Sequence, residues 1–315
     1  LVNGFSIEGK RKDIAEIQKI HGVKSAEESV KMQSKMQTSN TLTEAESVWN
    51  NCSYKGEGMV IAVIDTGFDY THKDFQTIDE ENVKITKDLA DNDIKNLGYG
   101  KYFSEKIPYG YNYADGNDEI KNEDQIHGMH VAGIALANGE IKGVAPEAQL
   151  LAMRVADKNG EFYNEDIIQA IEDAVKLGAD VINMSFGTDG EYYGSNDLFK
   201  KTIEKAIGKG VICVNACGNA QTSVSSDASS NSIQNLLDLK DTSAVDITSL
   251  DSFSVASMDN LTNNNYDRDD FFPFSNNAGS NSKNENMSSF SSWGPSPDLE
   301  LKPEITAPGG NIKST

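Results

Sequence analysis

The stretch of sequence that decides the fold is GMVIAVIDTGFDYTH, residues 58–72. It begins with a continuous run of apolar, mostly β-branched residues and then changes abruptly to D-T-G at residues 65–67. Such a run is typical of a parallel strand that is covered on both faces. Because ligands and chemistry collect at the carboxyl ends of the strands in such sheets, Asp65 is the first candidate for a functional residue.

Strand-like and helix-like segments alternate on the C-terminal side of this stretch. Three segments have the composition of buried strands: AQLLAMRV (148–155), ADVINMSFG (179–187) and GVICVNACG (210–218). Two segments between them have apolar residues at helical spacing: 164–177 and 196–209. This order predicts an α/β domain, with a parallel sheet flanked by helices and joined by right-handed crossovers. It also predicts that Asp65, residues 185–187 and Asn219 lie at one edge of the sheet.

Length and charge limit the classes of function. The chain has 315 residues, with 28 Lys and Arg against 49 Asp and Glu, and its formal net charge is −21. This length is enough for one large domain. The negative charge argues against nucleic acid and anionic membrane surfaces as partners, and no apolar run approaches the ~20 residues of a spanning helix. Because the chain begins with Leu1 and not Met, we expect that its natural N-terminus and any signal peptide precede it.

Histidine is the side chain that most often acts as a general base near neutral pH, and the chain has four of them. His127 and His130 occur in QIHGMHVAGIALA (125–137), where apolar residues at helical spacing predict a helix that begins near His127. A zinc site is the alternative reading of H-x-x-H, but zinc helices carry H-E-x-x-H, with a Glu between ligands four residues apart. The shorter spacing and the missing Glu lead us to assign no metal.

Gly218-Asn219 follows the segment 210–218, which is predicted to be a strand. A side-chain amide at that place could donate to an oxyanion that develops in a reaction, and removal of one such donor typically costs ~10²–10³ in rate. The alternative is a simple turn after the strand. The two residues alone leave both interpretations open.

D-T-G alone is compatible with two kinds of protease. An aspartic protease needs a second D-T-G or D-S-G, or a symmetric dimer, because two carboxylates must share a proton. A serine protease instead uses a single Asp to orient a His that activates a Ser. The chain contains one D-T-G and its pattern predicts an α/β fold, so the sequence favours the second chemistry.

Five motifs occur in a fixed order along the chain: D-T-G, H-G-M-H-V-A-G, N-M-S-F-G, G-N, and S-S-W-G-P followed by I-T-A-P-G. Their order and surroundings resemble those of the subtilisin-like serine proteases, or subtilases, over residues 45–315. The resemblance is strongest to the lactocepin-type cell-envelope proteinases of Gram-positive bacteria. Met129 supports that branch, since most subtilases have Thr at this place.

The resemblance implies a role for each motif. Asp65 would orient and support the imidazole of His127, which would act as general base and then as general acid. Asn219 would be the oxyanion donor. The segment Ser185, Phe186 and Gly187 would bind an extended polypeptide substrate as an added strand, with Phe186 lining an apolar subsite.

The resemblance also implies a serine nucleophile in a G-T-S motif, which we expect to follow Thr315. On this expectation the 315-residue chain alone is inactive, because loss of the nucleophile in a related enzyme costs about 10⁶ in kcat. The alternative is a catalytically inactive homologue that acts as a binding or regulatory protein. A secreted or cell-wall-associated location follows from the resemblance alone.

The resemblance also divides the chain into three segments. Residues 1–31 are similar to the C-terminal part of a subtilase propeptide, a folding chaperone and inhibitor that is later removed. Residues 32–44 would be the linker in which processing occurs, and residues 45–315 the catalytic domain. A small accessory β-α-β module is the alternative for the first segment. Asp74 matches a calcium-ligand position of the family, but no further ligands are assigned, so calcium is left unassigned and no cofactor is predicted.

Overall fold

The computed structural model describes residues 7, 10, 13–26, 33–34, 45–187, 197–216, 253–259, 305–310 and 314. Its helices are α1 (Ile14–Ile17), α2 (Ala45–Cys52), α3 (Lys87–Leu97), α4 (His127–Leu136), α5 (Asn164–Lys176) and α6 (Asp197–Ile207). Its strands are β1 (Gln33–Ser34), β2 (Val60–Asp65), β3 (Tyr109–Asn112), β4 (Gln149–Arg154), β5 (Val181–Met184), β6 (Phe186–Gly187), β7 (Ile212–Ala216), β8 (Phe253–Asp259) and β9 (Ile305–Gly310). The helices and strands predicted on the C-terminal side of β2 are present in this order.

Seven strands form one parallel sheet in the order β3-β4-β2-β5-β7-β8-β9. Asp65, at the end of β2, lies opposite Arg154 at the end of β4, and Ile64 lies opposite Met184 at the end of β5. The carboxyl ends of β2, β4 and β5 are therefore level with one another. The α/β class and the parallel sheet predicted from the sequence are confirmed.

Strand β2 is apolar throughout because it is covered on both faces. The side chains of Val60, Ala62 and Ile64 belong to a core cluster shared with α5 and α6. Val63 belongs to a second cluster, on the opposite face, that includes residues of α4. Since alternate residues of a strand point to opposite faces, both sets must be apolar. The run at residues 58–64 is thus the sequence signature of a strand between two helical layers.

Helix α5 shows the predicted amphipathic pattern. Ile167, Ile171 and Ala174 are buried in the first core cluster. The helix ends just before Gly178, whose φ of +82° lies in the left-handed region that favours glycine. The predicted helix over 164–177 is therefore confirmed to within one residue.

The first 44 residues contribute little regular structure among those described. The sequence predicts a helical face over residues 13–20, and the structure has the short helix α1 there. Strand β1 pairs with β6 in an antiparallel, two-stranded ladder. Among the described residues, no helix combines the length and the apolar character needed to cross a membrane.

Candidate active site

Asp65 is the last residue of β2, and its side chain is completely buried. Its Oδ1 accepts a hydrogen bond of 2.7 Å from the peptide N–H of Thr66, and its peptide oxygen accepts one of 2.9 Å from Val155. A buried carboxylate is stable only if it is paired and hydrogen-bonded. The end of the strand therefore fixes this carboxylate and directs it away from the sheet.

His127 supplies the partner of Asp65. It is the first residue of α4, and its Nδ1 lies 2.8 Å from Oδ1 of Asp65. The His127 side chain is 16% exposed, and its Nε2 has no hydrogen-bond partner among the described residues. A hydrogen bond at one ring nitrogen fixes the orientation of an imidazole and leaves the other nitrogen for proton transfer.

The pKa of His127 is raised above its ordinary value of 6.5. Burial acts in the opposite direction, because it penalises the charged imidazolium and lowers the pKa. The charge of Asp65 and the hydrogen bond to it outweigh burial. The carboxylate therefore stabilises the imidazolium, as a general base that receives a proton requires.

Two glycines allow the strand end and the helix start to meet. A Cβ on Gly128 would lie 2.7 Å from the peptide oxygen of Gly67 and 2.9 Å from Cβ of Asp65. A Cβ on Gly67 would lie 2.7 Å from Cβ of Asn122, and its φ of +147° is strained for other residues. The glycines of D-T-G and H-G are thus explained by close backbone approach.

Thr66 joins the two motifs through its hydroxyl. Its Oγ1 accepts a 2.9 Å hydrogen bond from the peptide N–H of Gly128 and donates one of 3.0 Å to the peptide oxygen of Gln125. One hydroxyl thus holds the residues on both sides of His127. Sequence reasoning missed this role, although the Thr between Asp65 and Gly67 was the available signal.

Comparison with known proteins now identifies the family. The model of the Subtilase family matches residues 56–315. The chain belongs to the subtilase family. The predicted resemblance is therefore confirmed, together with the α/β fold that it implied.

Individual relatives support membership of the subtilase family. The PI-type proteinase of Lactococcus lactis subsp. cremoris is 41% identical over 235 residues, which cover 71% of this chain and 12% of the relative. The PII-type proteinase of Lacticaseibacillus paracasei has the same identity and coverage. The C5a peptidase of Streptococcus pyogenes serotype M3 (strain SSI-1) is 40% identical over 179 residues, or 52% of this chain and 15% of the relative. The chain thus spans a small part of the length of these relatives.

The predicted substrate strand of the subtilase lies just beyond β5. Ser185 is buried, and its Oγ accepts a 2.9 Å hydrogen bond from Nδ2 of Asn183. Phe186 is completely buried and packs edge-on against Phe162, with ring centroids 5.0 Å apart. The Phe186 side chain thus lies in the core, and its assignment to an apolar subsite stays a prediction. The backbone of Phe186 and Gly187 pairs with β1.

Of the two remaining residues that the sequence singles out, the structure describes Asp74 but not Asn219. Asn219 lies outside the described residues, so its role as oxyanion donor stays a prediction. Asp74 is buried, and its Oδ1 accepts a 2.8 Å hydrogen bond from the peptide N–H of Glu140. Its Oδ2 accepts a longer one, of 3.4 Å, from Ile141. In the described part of the chain, no group of three or more His, Cys, Asp and Glu side chains could hold a metal ion.

Proposed function

We propose that the protein is a serine endopeptidase that hydrolyses peptide bonds of polypeptide substrates. The observation that carries this proposal is the contact between the buried carboxylate of Asp65 and Nδ1 of His127, at 2.8 Å, with Nε2 free of partners among the described residues. Membership of the subtilase family supports the same chemistry. The nucleophile is a serine that we expect C-terminal to Thr315 in the whole protein.

In the first half of the proposed reaction, one proton moves from the serine to His127 and then from His127 to the leaving amine. The serine oxygen bonds to the peptide carbonyl carbon while its proton moves to Nε2 of His127. The imidazolium, stabilised by Asp65, then gives that proton to the leaving amine as the C–N bond breaks. Water then bonds to the acyl carbon while its proton moves to Nε2 of His127. His127 returns that proton to the serine oxygen as the C–O bond breaks and the carboxylic acid leaves. Asn219 is proposed to donate a hydrogen bond to the oxyanion.

A fluorophosphonate probe tests the proposal on the full-length protein. We expect the probe to label and inhibit the protein, whereas pepstatin has no effect. His127→Ala should lower kcat by about 10⁶-fold, because the general base is lost. His72→Ala is the matched control and should retain activity, since His72 lies outside the site.

Two results would overturn the proposal. Inhibition by pepstatin without fluorophosphonate labelling would indicate an aspartic protease. A folded full-length protein that neither reacts with the probe nor cleaves peptides would be the inactive homologue, with a binding or regulatory role.

We further propose that residues 1–31 are part of a propeptide and that residues 32–44 contain its processing site. Gln33 lies opposite Gly187 and Ser34 lies opposite Phe186 in the antiparallel pair of β1 and β6. This is the segment on which the resemblance places an extended substrate, and strand addition is a common mode of peptide binding. An attached segment that occupies it would block other substrates. An extracellular or wall-associated location is proposed from the resemblance.

A further inference from the structure

We propose that Arg154 is a positioning residue for His127, which it serves by holding the loop between β3 and α4. This β3–α4 loop consists of residues 113–126 and leads directly into the histidine. The role of Arg154 in the reaction rests on the proposed function, whereas its effect on the geometry of His127 does not. Arg154 has no contact with the imidazole in the structure, so it acts through the loop.

Arg154 is the last residue of β4, beside Asp65 in the sheet, and its side chain is only 8% exposed. Its Nη1 donates to the peptide oxygens of Lys121 and Glu119, at 2.8 and 3.2 Å. Its Nε donates to the peptide oxygen of Ala156 at 3.3 Å. The carboxylate of Asp115, in the same loop, lies 3.8 Å from Nη2. The guanidinium therefore binds the loop mainly through main-chain oxygens.

The opposite side of the same loop contacts the D-T-G turn. The peptide oxygen of Ile120 accepts a 2.8 Å hydrogen bond from the N–H of Phe68. Nδ2 of Asn122 donates to the peptide oxygen of Thr66 at 3.1 Å. Residues 119 and 121 thus face Arg154, while 120 and 122 face the turn. The alternation shows that this part of the loop lies extended between the guanidinium and the turn.

The path from Arg154 to His127 is short. The loop packs against Gly67, and Thr66 is tied both to Gln125 in the loop and to Gly128 in α4. If Arg154 releases the loop, the turn loses the contacts from Ile120 and Asn122. The Asp65–His127 contact then loses its support from this side.

Arginine suits this place better than lysine. A guanidinium has five N–H donors in a rigid fork, whereas an ammonium is a compact point charge on a flexible stem. The three acceptors of Arg154 belong to residues 119, 121 and 156, so they lie in two different segments. A lysine would retain the charge but lose the simultaneous contacts. We therefore expect Arg154→Lys to fold and to position the loop poorly.

Nuclear magnetic resonance of the 315-residue chain tests the positioning role without need of activity. The variants are Arg154→Lys and Arg154→Met, and Lys158→Met is the matched control, since it removes an exposed cation four residues away. In both Arg154 variants, exchange of the Phe68 amide hydrogen should rise at least about tenfold, because its acceptor in the loop is no longer held. The pKa of His127 should move from its raised value toward 6.5 as the contact with Asp65 loosens. The control should leave both quantities unchanged.

Kinetics of the full-length protein add a second readout. Arg154→Lys should lower kcat by about 10- to 100-fold with little change in KM, because small misplacements of catalytic groups are costly and Arg154 is not proposed to touch substrate. A folded Arg154→Met variant with unchanged amide exchange and unchanged His127 titration would overturn the inference. If neither variant folds, Arg154 is structural and the inference is equally wrong. If the full-length protein is inactive, the proposed function fails while the resonance measurements still decide on Arg154.

Discussion

At the scale of single residues, two opposing effects set the pKa of the His127 imidazole. Burial of His127 favours the neutral ring, and Asp65 favours the charged ring. The net raised pKa means that this pair stabilises the fold most fully below the ordinary pKa of 6.5. That contribution disappears as the pH rises through the raised pKa of the folded protein. The proposed catalysis needs the neutral ring, so the expected activity and this stabilisation change in opposite directions with pH.

The raised pKa of His127 sets the pH dependence expected of the activity. In the full-length protein, kcat/KM should rise with pH through a midpoint above 6.5, because His127 must lose its proton to act as a base. Asp65→Asn should lower that midpoint below 6.5, since burial then acts alone on the imidazole, and should reduce kcat by about 10⁴-fold. A pH–rate profile of both proteins measures this. An unchanged midpoint in the variant would contradict the assignment of Asp65.

The residues that the sequence could predict are those with a recognisable motif. The motifs predict both Asp65 and His127, and the structure brings the two side chains together across 62 positions of the chain. The sequence assigns no role to Thr66 or Arg154, because both act through hydrogen bonds to main-chain groups. The Thr of D-T-G marks a position in a motif, but the main-chain groups that these side chains bind have no signature in the sequence. Such roles become visible only when the tertiary structure is known.

At the scale of elements, the sheet was predicted best where burial leaves a continuous apolar run. Strand β2 has such a run, and β4, β5 and β7 are mainly apolar, although Asn183 interrupts β5 and Asn215 interrupts β7. The short strand β3 reads Y-G-Y-N and is missed. Helix α3 was missed because Lys87–Leu97 is mostly polar. Its ends carried the available signals, an N-cap at Thr86 and a left-handed Gly98 with a φ of +86°. The order of strands in the sheet follows from no local pattern.

Helix α4 contacts the D-T-G turn so closely at Gly128 that a methyl group there should disturb both stability and activity. Gly128→Ala should destabilise the chain by about 1–3 kcal/mol, because the new Cβ overpacks a site that has no room for it, 2.7 Å from the peptide oxygen of Gly67. It should also lower kcat in the full-length protein, since His127 moves with the helix. Chemical denaturation and steady-state kinetics measure the two effects.

Ala135→Gly, in the same helix, separates packing at the site from the general stability of α4. It should cost about 1–2 kcal/mol, through helix propensity and the loss of a partly buried methyl group that packs on the second core cluster, and leave kcat nearly unchanged. Equal effects of the two substitutions on kcat would show that the close approach of Gly128 has no special importance for the site.

At the scale of the whole molecule, two parts of the chain meet at one edge of the sheet. The end of β2 and the start of α4 supply the Asp65–His127 pair, while β1 lies on β6 just beyond the level end of β5. Gln33 and Ser34 thus pair with the segment to which a substrate is proposed to bind. The proposed propeptide would then be at once an inhibitor and the first substrate.

This arrangement predicts self-processing. When the full-length protein is produced, mass spectrometry should find a new N-terminus within residues 32–44. His127→Ala should stay uncleaved, because cleavage needs the protein's own base. Normal processing of His127→Ala at the same bond would assign the cleavage to another protease.

A proline substitution tests whether pairing with β6 delivers the segment for cleavage. Facing residues in an antiparallel ladder alternate between hydrogen-bonded and non-hydrogen-bonded pairs, so one of Gln33 and Ser34 must donate to β6. Replacing both by proline removes that donor whichever residue supplies it, and processing should slow at least about tenfold, the loss expected for roughly 1.4 kcal/mol of binding. Lys24→Pro is the control: Lys24 is exposed and precedes the linker, so this variant should be processed at the normal rate. Equal rates for the double variant and the control would mean that the β1–β6 pair does not present the scissile segment, and the propeptide would then have to reach the site by another contact.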